Sequence, residues 1–201
     1  MKNQIPKKIK RIIDVIISLL CLIILSPLFV IIAILIKLDS KGSIFFRQKR
    51  IGENGKIFKI WKFRSMKTSC EKTSVKKIIK YEITGNDPRL TNAGRFLRKY
   101  HLDELPQLMN VLDGEMSIVG PRPFFLARIK ENPELAKGRV LAKPGMTGIS
   151  QIYIYKNKKI NDKKIIELDL SYIKKWTIFL DIKIMFKTMT LLLTKVKKDI
   201  K

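Results

Sequence analysis

The chain has 201 residues, 46% hydrophobic and 29% charged, with 42 Lys and Arg against 17 Asp and Glu and a formal net charge of +25. That length supports one domain with a real core and excludes two comfortable ones, and the apolar content excludes a disordered chain. So large a positive charge calls for an acidic partner, either nucleic acid or an anionic membrane surface.

The first 38 residues decide between those partners. From Val15 to Ile36 no side chain is charged, a run about as long as the roughly 20 residues that cross a bilayer. It is too long for a cleaved signal peptide, and its lack of a polar face argues against the core helix of a soluble protein. Lys7, Lys8, Lys10 and Arg11 precede the run, and Lys37, Lys41, Arg47, Lys49 and Arg50 follow it. Basic residues mark the cytoplasmic side, so both ends ask for the same side. Ser26 and Pro27 stand at the centre. A proline there removes a backbone hydrogen bond and clashes with the carbonyl four residues earlier, so the helix bends, and the Ser26 hydroxyl can satisfy a freed carbonyl. The expectation is a re-entrant membrane helix-hairpin over residues 1–38 and a cytoplasmic domain over residues 39–201. A straight single pass stays open on these residues alone. Cys21 and Cys70 have no plausible pairing or metal spacing, which fits a reduced setting.

Beyond the apolar run, Ser43 to Arg47 and Lys56 to Phe63 are rich in Ile, Phe and Trp, and Gly52-Glu53-Asn54-Gly55 lies between them. Asn-Gly supplies the positive backbone angles of a tight turn, so the pattern predicts a β-hairpin. Lys67 to Lys80 is polar and weakly patterned, a loop or an exposed helix. Asn86-Asp87-Pro88-Arg89 reads as a turn and Asn92 to Tyr100 as a short basic helix. Leu105, Leu108, Met109 and Leu112 then recur at helical spacing, with Pro106 acceptable only in a first turn, which puts Asp103 at or beside the helix N-terminus. Gly120-Pro121-Arg122-Pro123 and Lys143-Pro144-Gly145-Met146-Thr147-Gly148 are loops. Ile178 to Leu193 is an amphipathic helix with Lys183 and Lys187, suited either to an anionic headgroup layer or to the domain core. The fold class is α+β, mostly helical.

With one His, no Ser-His-Asp set and no Cys/His cluster, zinc hydrolysis and triad catalysis are excluded as leading readings. The chain has no Walker loop and no dinucleotide glycine fingerprint. What remains is Asp103-Glu104 with Arg95 and Arg98 upstream and Arg122 downstream. The guanidinium fork binds two phosphate oxygens at once, and a carboxylate among arginines stays ionised, as a carboxylate nucleophile must. The pattern alone is weak evidence for this, because an Asp at a helix start is usually an N-cap.

The order of motifs along the chain adds to this. A Ser-Pro in an apolar segment is followed by Phe58-Lys59-Ile60-Trp61-Lys62-Phe63-Arg64-Ser65-Met66, Asp87-Pro88-Arg89 and Gly94-Arg95-Phe96-Leu97-Arg98-Lys99. Then come Leu102-Asp103-Glu104-Leu105-Pro106-Gln107-Leu108, Met116-Ser117-Ile118-Val119-Gly120-Pro121-Arg122-Pro123 and Pro144-Gly145-Met146-Thr147-Gly148. From about Arg11 to Lys187 the chain closely resembles the bacterial sugar transferase family, the small monotopic phosphoglycosyl transferases. It looks like the minimal catalytic form, without the multi-pass N-terminal region of larger relatives. The resemblance implies transfer of a sugar 1-phosphate from a UDP-sugar to polyprenyl (undecaprenyl) phosphate through a covalent phosphosugar on Asp103, with release of UMP. It implies Glu104 as the partner of Asp103 and Mg²⁺ near Asp103. Arg98 and Arg122 are its phosphate contacts, with Arg64, Pro121 and Lys143 as further substrate-binding positions. It also implies a bacterial inner-membrane location with the catalytic domain on the cytoplasmic face.

Two positions depart from the family pattern. Lys143 stands where arginine is usual and keeps the charge without the fork, and Ile149 replaces a Trp. His101 occupies a place often held by a small residue and reads as a neighbour of the site. The rival classes are a membrane-tethered nucleic-acid-binding protein, for which no binding motif is visible, and a catalytically dead scaffold, against which the intact Asp103-Glu104 pair counts. The expected partners are therefore a UDP-sugar, a polyprenyl phosphate and an anionic membrane surface, and not nucleic acid.

Overall fold

The computed structural model describes residues 4–67, 87–157 and 161–200. Most of the lysine-rich stretch after Met66, and Asn86, lie outside them.

Helix α1 (Gln4–Ile24) and helix α2 (Ser26–Asp39) meet at Leu25 with a bend of 61°. Backbone bonds from Leu25 to Cys21 and from Phe29 to Leu25, both 2.9 Å, carry helical pairing through the joint. Pro27 has no N–H to offer Ile23, four residues back, and the Ser26 hydroxyl donates to that carbonyl instead at 2.8 Å. Among the described residues no single helix is long and apolar enough to cross a membrane, whereas this bent pair is so by length and composition. Ile12, Ile16, Leu19 and Ile23 on α1 are exposed, as are Val30, Ile31, Ile34 and Leu38 on α2. The other side of α2 buries Ile32 and Ile36 against Phe63 and Leu97.

The first half of α1 turns a polar face to the rest of the molecule. Arg11 donates to the carbonyls of Val111 and Leu112, and Asp14 accepts from the Ile118 N–H at 3.1 Å. Lys10 reaches the Val119 carbonyl at 3.2 Å and Asp181 at 2.6 Å.

Strands β1 (Phe45–Ile51) and β2 (Ile57–Phe63) form the expected antiparallel hairpin, in register from Phe45 opposite Phe63 to Ile51 opposite Ile57. Asn54 (φ 55°) and Gly55 (φ 76°) take the left-handed angles of the turn, closed by a 2.8 Å bond from the Gly52 N–H to the Lys56 carbonyl. The first strand runs past Arg47 to Ile51, since backbone pairing with β2 holds its polar residues.

Helix α3 (Asn92–Lys99) starts at Thr91, whose side chain accepts from the Gly94 N–H at 3.0 Å. Gly94 lies so close to the Ser65 backbone that any side chain there would collide with it. A single 3₁₀ turn (Leu102–Glu104) follows, then helix α4 (Gln107–Leu112) with Pro106 at its N-cap. Strand β3 (Ser117–Val119) pairs in parallel with β4 (Gly145–Thr147). Gly120 and Gly145 are backbone against backbone there, and a Cβ on either would strike the other segment. Helices α5 (Leu126–Glu131), α6 (Ile149–Asn157), α7 (Asp162–Lys174) and α8 (Ile178–Ile200) complete the described residues. This is the mostly helical α+β fold expected, with two small two-stranded sheets among the described residues. On α8, Phe179, Ile182, Phe186, Met189 and Leu193 are exposed at helical spacing, one continuous apolar stripe, and Asp181 and Ile184 are buried.

Candidate active site

His101, in the left-handed region at φ 58°, turns the chain sharply out of α3 and into the 3₁₀ turn that carries Asp103 and Glu104. Alternation along β2 puts Lys62 on the same side as buried Phe58 and Ile60, so this lysine points inward. Its Nζ donates to Glu104 Oε1 at 2.6 Å, and Arg122 Nη2 lies 3.5 Å from the same oxygen. Asp103 is 5% exposed, and no described residue hydrogen-bonds or ion-pairs with its carboxylate. It does not cap α4, whose N-cap is Pro106 with no side-chain bond, so the N-cap reading of Asp103 is overturned.

The two carboxyls are therefore unlike. Burial pushes the Asp103 carboxyl up from its ordinary value. The charges of Lys62, Arg98 and His101 work against that rise, and the charge of Glu104 adds to it. Burial acts in the same direction on Glu104, but the charges of Lys62 and Arg122 and the Lys62 hydrogen bond outweigh it and hold this group below the usual carboxylate range. Of the two, it is Glu104 whose basic neighbours outweigh burial.

Of the basic positions, Arg122 is brought to the dyad. Arg98 lies one turn upstream, its Nε on Ser65 Oγ at 3.1 Å and its Nη1 3.6 Å from Asp87, where its charge still bears on Asp103. Asp87 also takes three bonds from Arg89, two from its side chain at 2.8 and 2.7 Å and one from its backbone N–H at 3.0 Å. Arg64 is buried and donates to the carbonyls of Lys41, Ile36 and Ser40 and to the Ser40 hydroxyl. Its visible work is to satisfy the carbonyls at the end of α2. Lys143 places its ammonium beside Arg11 and Gly114, past the end of α4 remote from the dyad. The Pro121 carbonyl accepts from the Gly145 N–H at 2.9 Å and ties the Gly-Pro-Arg-Pro loop to β4. Lys62 is the functional residue that reading the sequence missed. Its signal was present, as a lysine in the inward phase of a strand.

No group of three or more His, Cys, Asp or Glu able to hold a metal occurs among the described residues. Mg²⁺ needs no such cage, since it is commonly held by one or two carboxylates together with substrate phosphates. Asp103 fits that donor set because its carboxylate takes no hydrogen bond from any described residue. Glu104 fits less well, with Lys62 on Oε1.

The bacterial sugar transferase family model matches residues 5–195, and the chain belongs to that family. It is 42% identical over 192 residues to the UDP-glucose:undecaprenyl-phosphate glucose-1-phosphate transferase of Escherichia coli (strain K12), covering 92% of this chain and 40% of the relative. The Klebsiella pneumoniae protein of the same name is 45% identical, with the same coverage. The chain thus spans about two fifths of the length of these two curated relatives. The exopolysaccharide production protein PSS of Rhizobium leguminosarum bv. phaseoli is 39% identical over 200 residues, which cover 94% of this chain and 97% of the relative.

Proposed function

We propose that this protein is a phosphoglycosyl transferase that moves a sugar 1-phosphate from a UDP-sugar to undecaprenyl phosphate, releasing UMP, at an early membrane step of polysaccharide assembly. The observation that carries the reading is the buried, unpartnered carboxylate of Asp103 beside a Glu104 already paired with Lys62 and Arg122. A carboxylate without donors is a stronger base and a readier nucleophile than a solvated or ion-paired one. The chemistry balances in two displacements. An Asp103 oxygen bonds to the β-phosphorus of the donor, and the bridging oxygen leaves with its electron pair as UMP. An oxygen of the lipid phosphate then bonds to that phosphorus, and the Asp103 carboxylate leaves with the electrons of its P–O bond. Arg122 and Arg98 hold phosphate oxygens near the dyad, while Lys62 keeps Glu104 ionised and oriented. Mg²⁺, held by Asp103 and the donor phosphates, would offset the diphosphate charge.

Residues 1–38 fit a re-entrant segment: the bend lies at the Ser-Pro, the outer faces of both helices are apolar, and basic residues flank both ends. The α8 stripe would lie in the headgroup layer, with Lys183 and Lys187 toward anionic lipid. The whole body then rests on the cytoplasmic face, where the acceptor's phosphate sits. The deciding experiment is a UMP-release screen over UDP-sugars with undecaprenyl phosphate and Mg²⁺. One sugar should give turnover, EDTA should abolish it, and silence with every UDP-sugar would end the reading. Cysteine accessibility mapping tests the topology, with both flanks of the bent pair expected to label from the cytoplasmic side. Periplasmic labelling of either flank would favour a single pass.

A further inference from the structure

Arg139 and Asp169 lie 30 residues apart in sequence and face each other in the interior, 5% and 1% exposed at the side chain. Arg139 Nε donates to Asp169 Oδ2 at 2.7 Å, and Nη2 lies 2.5 Å from the same oxygen. The rest of the fork goes to backbone: Nη1 to the Leu135 carbonyl at 2.9 Å and Nη2 to the Arg122 carbonyl at 3.0 Å. The guanidinium lies over the Phe124 ring, 4.2 Å from its centroid. A buried ion pair is weak evidence for stability, because the cost of removing two charges from water offsets much of their attraction. What this pair does in addition is hold the backbone of the arginine that reaches Glu104.

A second tie acts on the same segment. Lys10 on α1 donates to the Val119 carbonyl at 3.2 Å, while the Tyr172 hydroxyl, 3.1 Å from the same carbonyl, gives its one proton to Asp181 at 2.7 Å. The four residues Val119 to Arg122 are thus held at both ends, at the first by Lys10 of α1 and at the last through Asp169 and Arg139. Proline on each side of Arg122 limits the backbone further. We infer that Arg139, oriented by Asp169, is a positioning residue that sets the Arg122 side chain against Glu104 and the donor phosphate. The inference rests on the transferase reading for its substrate and on the geometry alone for its mechanics.

Arg139→Lys separates the two jobs of this residue. An ammonium still pairs with Asp169 but cannot reach Leu135 and Arg122 at the same time. With the purified full chain in membrane mimetic, the variant should keep its melting temperature within a few degrees. Its kcat/KM for the UDP-sugar should fall about ten- to a hundredfold, the scale on which small misplacements of a binding group are felt, and its KM for the lipid should stay unchanged. If Arg139 acts through Arg122, then in an Arg122→Ala background the same change should cost less than about twofold, because the two act as a unit. Fully additive losses would overturn the inference. Hydrogen–deuterium exchange supplies a reading independent of turnover. Peptides spanning residues 119–125 should exchange faster in Arg139→Lys, and those of the β1–β2 hairpin should not. Unchanged exchange at 119–125 refutes the positioning role. If the wild-type chain transfers nothing from any UDP-sugar, it is the transferase reading that fails, and the exchange result still decides this one.

Discussion

Asp103 and Asp181 are almost equally buried, 5% and 6% exposed, and their surroundings could hardly differ more. Asp181 sits where α1, α7 and α8 meet. It accepts from Lys10 at 2.6 Å, from the Tyr172 hydroxyl at 2.7 Å and from the Trp176 indole at 3.0 Å. Burial and the Asp181 charge push the Tyr172 phenol far up, so it stays protonated and keeps donating. Asp103 has no such company. Its carboxylate oxygens keep a little contact with solvent. One carboxylate is saturated where three helices meet; the other takes no hydrogen bond from any described residue.

That contrast breaks most sharply at Asp103→Asn. The substitution keeps the shape and discards the nucleophilic charge, so UMP release should fall by about three orders of magnitude or more. Thermal unfolding should stay the same or move up, because a buried charge without partners has gone. Near-normal turnover would remove Asp103 from the chemistry.

Asp181→Asn should do the reverse. Three donors lose a charged acceptor, and Lys10 loses its counter-ion, at a cost of about 3 kcal/mol. A denaturant melt of the detergent-solubilised chain should show it, and an unchanged midpoint would mean that the junction is not what holds these helices.

The smallest effect belongs to Asp87, a second saturated carboxylate. Burial raises this group, but the side-chain and backbone hydrogen bonds of Arg89 together with the Arg89 and Arg98 charges prevail, so its folded pKa lies below the unfolded value near 4. The stabilisation is then complete above about pH 4 and fades as pH falls through the lower folded value. Asp87→Asn should cost about 1 kcal/mol at neutral pH and flatten the loss of stability on acidification. A melt at pH 3 compared with pH 7 reads it, and an acid limb identical to wild type would dismiss the pairing.

Much of this was legible in the sequence because it depends on neighbours in the chain. The bend at Ser26-Pro27, the Asn54-Gly55 turn, the short basic helix α3 and the amphipathic α8 all follow from local rules of spacing and backbone angle. The roles of the charged residues were less legible, since each depends on which distant segment packs against it. Arg64 looked like a phosphate ligand and serves the end of α2. Lys62 looked like a strand lysine and holds Glu104. Asp103 looked like a residue that a neighbouring helix could use, and only the placement of Pro106 at the N-cap removes that option.

The polar face of α1 bears on how a water-soluble version of this protein should be sought. Deleting everything before residue 40 would remove the apolar surface of α1 and α2, but it would also strip Lys10, Arg11 and Asp14 from the Val119 carbonyl, the Asp181 carboxylate, the end of α4 and the Ile118 N–H. Those groups border the strand that leads into the Arg122 loop, so the trimmed protein would be damaged at its working end. A redesign that keeps α1 and recolours only its outward residues, such as Ile12, Ile16, Leu19 and Ile23, leaves every one of those contacts in place.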